Sequence, residues 1–355
     1  APQGIAVGGT SGKSTVTGMI GWIMAQAGRD PTIMNGAVMK NFIAPDAPFA
    51  SARVGQGGVF VSEVDESDGS IALYRPAVAV LGNVSLDHKS LEELRALFGD
   101  FLARAQIAAV NLDDADVAAL APRARQVVSF ALAAPADLTV TDIVEQPTAI
   151  SATLHDRRDG SRHALALRVP GRHNLANALA AIAAASAAGV PVAEAVAALA
   201  SFSGLARRFD IVGTSASGVT VIDDFGHNPD KVGATLATLK AHPGRVIAFF
   251  QPHGYGPLRQ MGDELARTFA RGLGPDDRLL LCDPVYFGGT VDRSVGSERI
   301  VELVNGAGGQ AEHVPARADC AARIVALARP GDRVVIMGAR DDTLTVFAKD
   351  LLAAL

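Results

Sequence analysis

Cysteine is almost missing from this chain. Its two thiols, Cys282 and Cys320, lie far apart, with no further cysteine or histidine at metal-ligand spacing. That argues against a disulfide scaffold or a structural zinc site and for two reduced thiols in an intracellular protein. Long apolar runs are missing too. The alanine-rich run 178–185 and the strand-sized run 76–84 fall far short of a membrane span, so no membrane insertion is expected. The N-terminus has no basic region followed by an apolar segment, so nothing points to export, and the expected location is cytoplasmic. No long basic run occurs, and the formal charge is −5, which argues against nucleic acid as a partner. Charged residues make up only 19% and apolar residues 49%, the balance of a well-packed globular enzyme. At 355 residues the chain is too long for one ordinary core, and two domains are expected.

What is present begins at once. Gly4-Ile5-Ala6-Val7-Gly8-Gly9-Thr10-Ser11-Gly12-Lys13-Ser14-Thr15 reads as a short buried strand, a glycine turn and a helix starting near Lys13. Backbone N–H groups at such a helix start, together with the positive end of its dipole, suit the phosphates of a nucleotide. Lys13 then neutralises the outer phosphates, and the Ser14 hydroxyl suits a magnesium ion. The loop is one residue shorter than the usual P-loop when counted from Gly8, because position 7 is Val.

Residues 14–27 are predicted to be helical, with Gly28 as the stop. Strands are predicted at 31–38, 58–64 and 76–84, the last apolar on both faces as in a covered parallel sheet. Residues 90–105 carry a capping box, Ser90 with Glu93, and short strands follow at 107–111 and 126–130. This alternation predicts an α/β sheet with helices on both faces. In 138–169 polar and β-branched residues alternate around an Asp159-Gly160 turn, which predicts two or three antiparallel strands. Residues 174–200 read as a close-packed, alanine-rich helix pair broken at Gly189 and Pro191. Beyond a boundary at 201–206 the alternation restarts, with strands at 219–223, 245–251, 278–282 and 333–337, as a second, smaller α/β domain.

Several polar clusters fall at predicted strand ends. Glu63-Val64-Asp65-Glu66-Ser67-Asp68 places four carboxylates on the rim of the phosphate loop, suited to magnesium or to a solvated acidic loop. Asp87-His88 follows the next strand on the same rim, as an orienting pair or as part of a metal set. Asn174 and Asn177 share one helical face, fit for a purine or ribose edge or for an N-cap with an exposed neighbour. In the second domain Arg207-Arg208-Phe209 and Asp223-Asp224-Phe225-Gly226-His227 bring an arginine pair near a carboxylate. They fit a transferring phosphoryl group or an ordinary surface turn. Asp224 is a candidate partner for a ribose hydroxyl, a cation or an incoming amine. Phe250-Gln251-Pro252-His253 ends another strand.

In this order, these motifs resemble those of the Mur ligases, and the resemblance covers essentially the whole chain. It implies a P-loop central ATPase domain with a mostly parallel sheet over residues 1–203 and a smaller Rossmann-like α/β C-terminal domain over 204–355. It further implies ATP-dependent joining of a carboxylate to an amino acid through an acyl phosphate in peptidoglycan assembly, with ATP and Mg2+ as cofactors. Under it Gly9, Thr10, Ser11, Gly12, Lys13, Ser14 and Thr15 form the phosphate loop. Ser14 and Glu63 hold one magnesium, Glu63 and His88 a second, and Asn174 and Asn177 lie beside the base. Arg208 and Asp224 complete the site, and Lys13, Glu63, His88 and Arg208 carry the catalysis.

The chain also departs from the alanine-adding members of that family. The domain that grips the UDP-sugar is expected to be missing before the loop. Ser11 stands for a histidine, Gly254 follows His253 where an arginine is usual, and Asp283-Pro284-Val285-Tyr286-Phe287-Gly288 lacks an expected acidic residue. Three alternatives therefore stay open: a ligase for another carboxylate such as a poly-amino-acid or folate-type substrate, a nucleotide-binding homologue without catalysis of its own, and a simple P-loop kinase.

Overall fold

A computed structural model describes residues 3–67, 69–85, 89–285 and 292–355. The chain forms two compact units, Ala1–Ala206 and Arg207–Leu355, and the family of α/β folds expected from the sequence is what is found.

The first unit is built on one sheet. Its strands are β1 (Gln3–Gly8), β2 (Thr32–Met34), β3 (Ala52–Arg53), β4 (Val59–Glu63), β5 (Val78–Leu81), β6 (Ile107–Asn111), β7 (Val127–Phe130), β8 (Leu138–Gln146), β9 (Ala149–Asp156) and β10 (Arg162–Leu167). They lie in the order β10-β9-β8-β7-β6-β5-β1-β4-β2-β3. Pairing is parallel from β2 through to β8, and antiparallel for β2 with β3, β8 with β9 and β9 with β10. The alternating segment therefore folds as three antiparallel strands, but it extends the parallel sheet instead of standing apart from it. A single residue pair, Phe130 with Leu138, makes that junction.

β1 lies at the centre of the functional rim because Ile5, Ala6 and Val7 are buried and its neighbours are β4 and β5. The register pairs Val7 with Glu63 and Gly8 with Leu81. In a parallel sheet this brings the carboxyl ends of three strands to one edge, where ligands of open α/β sheets bind. Helix α1 (Lys13–Gln26) leaves β1 there, followed by α2 (Leu91–Arg104), α3 (Ala115–Leu120), α4 (Arg172–Ala187) and α5 (Val192–Leu199). The capping box of α2 is formed, with Ser90 accepting from the Glu93 N–H and Glu93 accepting in return from the Ser90 N–H.

Alanine density has a packing purpose. Residues 178–185 of α4 are all buried, and α4 packs on α1 within the main core. Side chains of one carbon let the two backbones approach and keep the phosphate-loop helix in a fixed place.

The second unit has β11 (Asp210–Thr214), β12 (Thr220–Asp224), α6 (Pro229–Lys240), β13 (Val246–Gln251), α7 (Tyr255–Gly272), β14 (Arg278–Leu281), α8 (Ser297–Gly306), β15 (Ala311–His313), α9 (Arg317–Leu327), β16 (Arg333–Gly338) and α10 (Thr343–Ala354). The sheet order is β11-β12-β16-β13-β14-β15, parallel except for β11. All six residues of β13 are buried. Ala248 and Phe250 enter one core and Ile247 and Phe249 the other, as alternation across a sheet covered on both faces requires. Among the described residues no helix is long and apolar enough to cross a membrane.

The close α1–α4 packing yields a stability prediction. Ala181→Leu should lower unfolding stability by about 1–3 kcal/mol through overpacking. Urea denaturation should show a reduced midpoint with an unchanged slope, whereas an unshifted midpoint would mean that the helices have room to spare.

Candidate nucleotide site

The glycine turn predicted from the sequence follows β1. Gly9 and Gly12 take positive φ values of 121° and 85°, which a side chain would resist. Gly12 caps α1 without any capping side chain, and no acidic residue occupies the first turn. The helix start is thus arranged for an anion brought from outside. Gly12 also lies against α4: a Cβ there would lie 2.6 Å from Asn177 Oδ1. Asn177 accordingly borders the loop, and its Nδ2 donates to Asn174 Oδ1 at 3.4 Å, while Asn174 Nδ2 donates to the Pro170 carbonyl at 2.7 Å.

The loop is clamped by the segment after β5. Asn83 Oδ1 accepts from the Ser11 N–H at 2.8 Å, and its Nδ2 donates to the Ser11 carbonyl at 3.0 Å. Thr10 exchanges two hydrogen bonds with the Ser85 backbone through its hydroxyl. Thr15 sits in the first turn, half-buried.

Two carboxylates from the end of β4 meet the start of α1. Ser14 Oγ donates to Glu63 Oε2 at 3.0 Å, and the other Glu63 oxygen accepts from the Gly36 N–H. Lys13 Nζ donates to the Gly9 carbonyl at 2.8 Å and to Glu66 at 2.8 and 3.2 Å. Glu66 is only 5% exposed. Asn35, just beyond β2, donates to the Ser14 carbonyl at 2.9 Å and so supports the same turn. The donor set fits magnesium: Ser14 Oγ and Glu63 Oε2 are hard oxygens separated by 3.0 Å. Adjacent ligands of an octahedral ion with bonds of about 2.1 Å stand at about that spacing. Asp68, Asp87 and His88 lie outside the described residues.

The second unit, taken by itself, gathers Arg207, Arg208 and Asp224 at the end of β12. Both Asp224 oxygens accept from the chain: one from the Phe209 N–H at 2.7 Å, the other from the Gly226 N–H and Thr235 Oγ1, each at 2.9 Å. Arg207 and Phe209 are held at φ 59° and 48°, a region that side chains enter rarely. Arg207 is buried and donates to the Gly338 carbonyl at 2.9 Å and to Asp342 at 3.1 Å. Arg208 lies over the Phe225 ring at 4.7 Å. Asp224 and Arg207 therefore hold the turn that presents Arg208.

Next to them, burial pushes the Asp223 carboxyl up to about 6 against the pull of Arg207. Burial, assisted by Lys231, lowers His227 to about 3. Burial, assisted by Arg340, lowers His253 to about 4. The two imidazoles stack edge to face at 5.1 Å. An open cleft of about 760 Å³, lined by Tyr255, Arg259, Asp283, Arg293, Glu298 and Arg299 among others, lies elsewhere on this unit, away from Arg208 and Asp224.

Sequence reasoning missed Asn83 and Asn35, and it left Glu66 undistinguished among four acidic neighbours. Asn83 had a signal in its place two residues past a buried strand that flanks the loop strand. For Asn35 the signal was position just after a strand, and neither residue belongs to a motif.

The lowered histidines give a pH prediction. Above pH 6.5 both are neutral folded and unfolded; as pH falls, the unfolded chain takes protons that the folded one refuses. The histidines' share of stability should therefore decline from pH 6.5 toward 4 and 3, by about 2 kcal/mol per histidine at about pH 5, while the raised Asp223 carboxyl contributes in the opposite sense below about 6. Relative to wild type, the denaturant midpoint of His227→Asn should rise progressively as pH falls across this range, and parallel profiles would show that His227 does not contribute.

The family model for the Mur ligase middle domain matches residues 7–185, and that for the Mur ligase glutamate ligase domain matches 207–340. UDP-N-acetylmuramate–L-alanine ligase of Agrobacterium fabrum is 36% identical over 356 residues, covering 96% of this chain and 73% of its own. The enzyme of the same name from Sorangium cellulosum is 35% identical, over 95% and 72%. Among solved structures, a murein peptide ligase from Psychrobacter arcticus is 26% identical with a TM-score of 0.69, covering 99% of this chain and 77% of that one. The UDP-N-acetylmuramate–alanine ligase of Thermotoga maritima shares the fold at a TM-score of 0.79 and 23% identity, over 99% and 75%. The chain belongs to the Mur ligase family, a family of ATP-dependent acid–amino-acid ligases.

Proposed function

We propose that this protein joins a carboxylate to the amine of an amino acid through an acyl phosphate, with ADP and phosphate released. The reading takes ATP and Mg2+ as cofactors and a UDP-N-acetylmuramate-like carboxylate with L-alanine as the first substrates to try. Such a reaction supplies peptidoglycan assembly and belongs in the cytoplasm. One observation carries it: Lys13, Ser14, Glu63, Asn83 and Asn177 converge on a single glycine turn at a parallel strand rim.

A carboxylate is a poor acyl donor, and its attack on ATP brings two anions together. Lys13 lowers that repulsion, and the α1 N-terminus orients the phosphate chain. Magnesium held by Ser14 and Glu63, and a second ion held by Glu63 and His88, would neutralise charge developing on the phosphoryl oxygens. Gly9 to Thr15 supply backbone donors, and Asn174 and Asn177 border the base. Arg208 serves as the second unit's cation for the transferring phosphoryl group, and Asp224 fixes its turn. Gly254 and Ser11, where alanine-adding relatives are expected to carry arginine and histidine, favour testing other carboxylates beside the muramate.

The test is phosphate release from ATP with a panel of carboxylates and amino acids. Release should require both substrates, and Lys13→Ala should cut turnover by on the order of 10²–10³ while the variant stays folded by circular dichroism. Full activity in Lys13→Ala would remove the reading. A stable phosphorylated product with no amine requirement would favour a kinase, release with neither substrate a simple ATPase, and nucleotide binding with background release across the panel a non-catalytic homologue.

A further inference from the structure

The phosphate-loop lysine is already engaged. Its ammonium is held by both Glu66 oxygens and by the Gly9 carbonyl, and Glu66 is more than nine-tenths buried. A carboxylate so withdrawn from water requires a counter-charge. Among the described residues Lys13 is the cation that supplies it. Glu63, three residues earlier, is in a different position: its oxygens accept from Ser14 and Gly36, and no described cation pairs with it.

On the nucleotide reading above, phosphates arriving at the loop compete with Glu66 for Lys13. If they come alone, Glu66 is left buried beside a second anion and both lose by it. If they come with a divalent cation, the ion can take over the charge that Lys13 withdraws, and carboxylate oxygens suit such a hard ion. We propose that Glu66 is a specificity-determining residue that makes this site accept metal-complexed nucleotide and refuse the metal-free form. The Glu66–Lys13 pair is the neutral resting state, and a divalent ion held nearby by Ser14 and Glu63 would offset the charge left on Glu66 when Lys13 turns to the phosphates.

Calorimetric titration of the full chain with ATP in excess EDTA and with ATP in excess Mg2+ tests this, because the ratio of the two dissociation constants isolates selectivity from fold. In wild type the magnesium form should bind much more tightly. In Glu66→Gln metal-free ATP should gain about tenfold or more in affinity, with the magnesium form changed by no more than about threefold, so that the ratio shrinks. Glu66→Asp keeps the charge and should keep most of the ratio, which guards against misfolding of the amide variant. An unchanged ratio in Glu66→Gln, or a ratio lost equally in Glu66→Asp, would overturn the proposal. Wild type that binds both forms alike would overturn the selectivity alone, whereas wild type that binds neither would refute the nucleotide reading on which it rests.

Discussion

Parallel register is the constraint from which the first unit's site follows. Val7 lies opposite Glu63 and Gly8 opposite Leu81, so β1, β4 and β5 end together. The pairing continues one step further, since the Val64 N–H donates to the Val7 carbonyl at 2.9 Å. Only after that does the chain turn, so Glu63 faces Ser14 and Glu66 reaches Lys13. A slip of one residue would send the carboxylates to the opposite face of the sheet. The apolar strands hold that register by burying both faces, and the small residues of α4 hold α1 against them.

The second unit reaches a similar arrangement by other means. Its central strands are fully buried, and polar residues collect past the ends of β12, β13 and β16. Here a strained turn does the positioning. Two consecutive-but-one residues, Arg207 and Phe209, hold left-handed backbone conformations that cost on the order of 1–3 kcal/mol each. The hydrogen bonds of Asp224 to Phe209 and of Arg207 to Gly338 offset that cost. Asp224 is fully satisfied in this way, while Arg207 Nε and Asp223 Oδ1 face each other at 3.6 Å as an ion pair without a hydrogen bond.

Much of this was legible from the residues, for identifiable reasons. A strand, a glycine turn and Gly-Lys-Ser are contiguous, so Lys13 and Ser14 needed no tertiary knowledge. The Ser90 and Glu93 box announced α2, and 107–111 stood out as an isolated apolar run. What was not legible depends on pairing across distance. Asn83 acts on Ser11 only because β5 neighbours β1, and which of four acidic residues meets Lys13 depends on where the chain turns after Val64. β11 and β15 escaped as well: β15 is three half-buried residues at an edge, and β11 carries a register shift between Ile211 and Gly213 that spoils alternation. The continuity of β8 with the parallel sheet rests on one residue pair and leaves no pattern in composition.

If the shared rim is a nucleotide–metal site, its ion must touch both a phosphate and the Glu63 carboxylate. Electron–nuclear double resonance of the protein with Mn2+ and ATP tests that contact directly. The account predicts bound Mn2+ with ³¹P coupling, and an affinity at least about tenfold weaker in Glu63→Gln. Mn2+ bound equally well by that variant, or bound without phosphorus coupling, would contradict it.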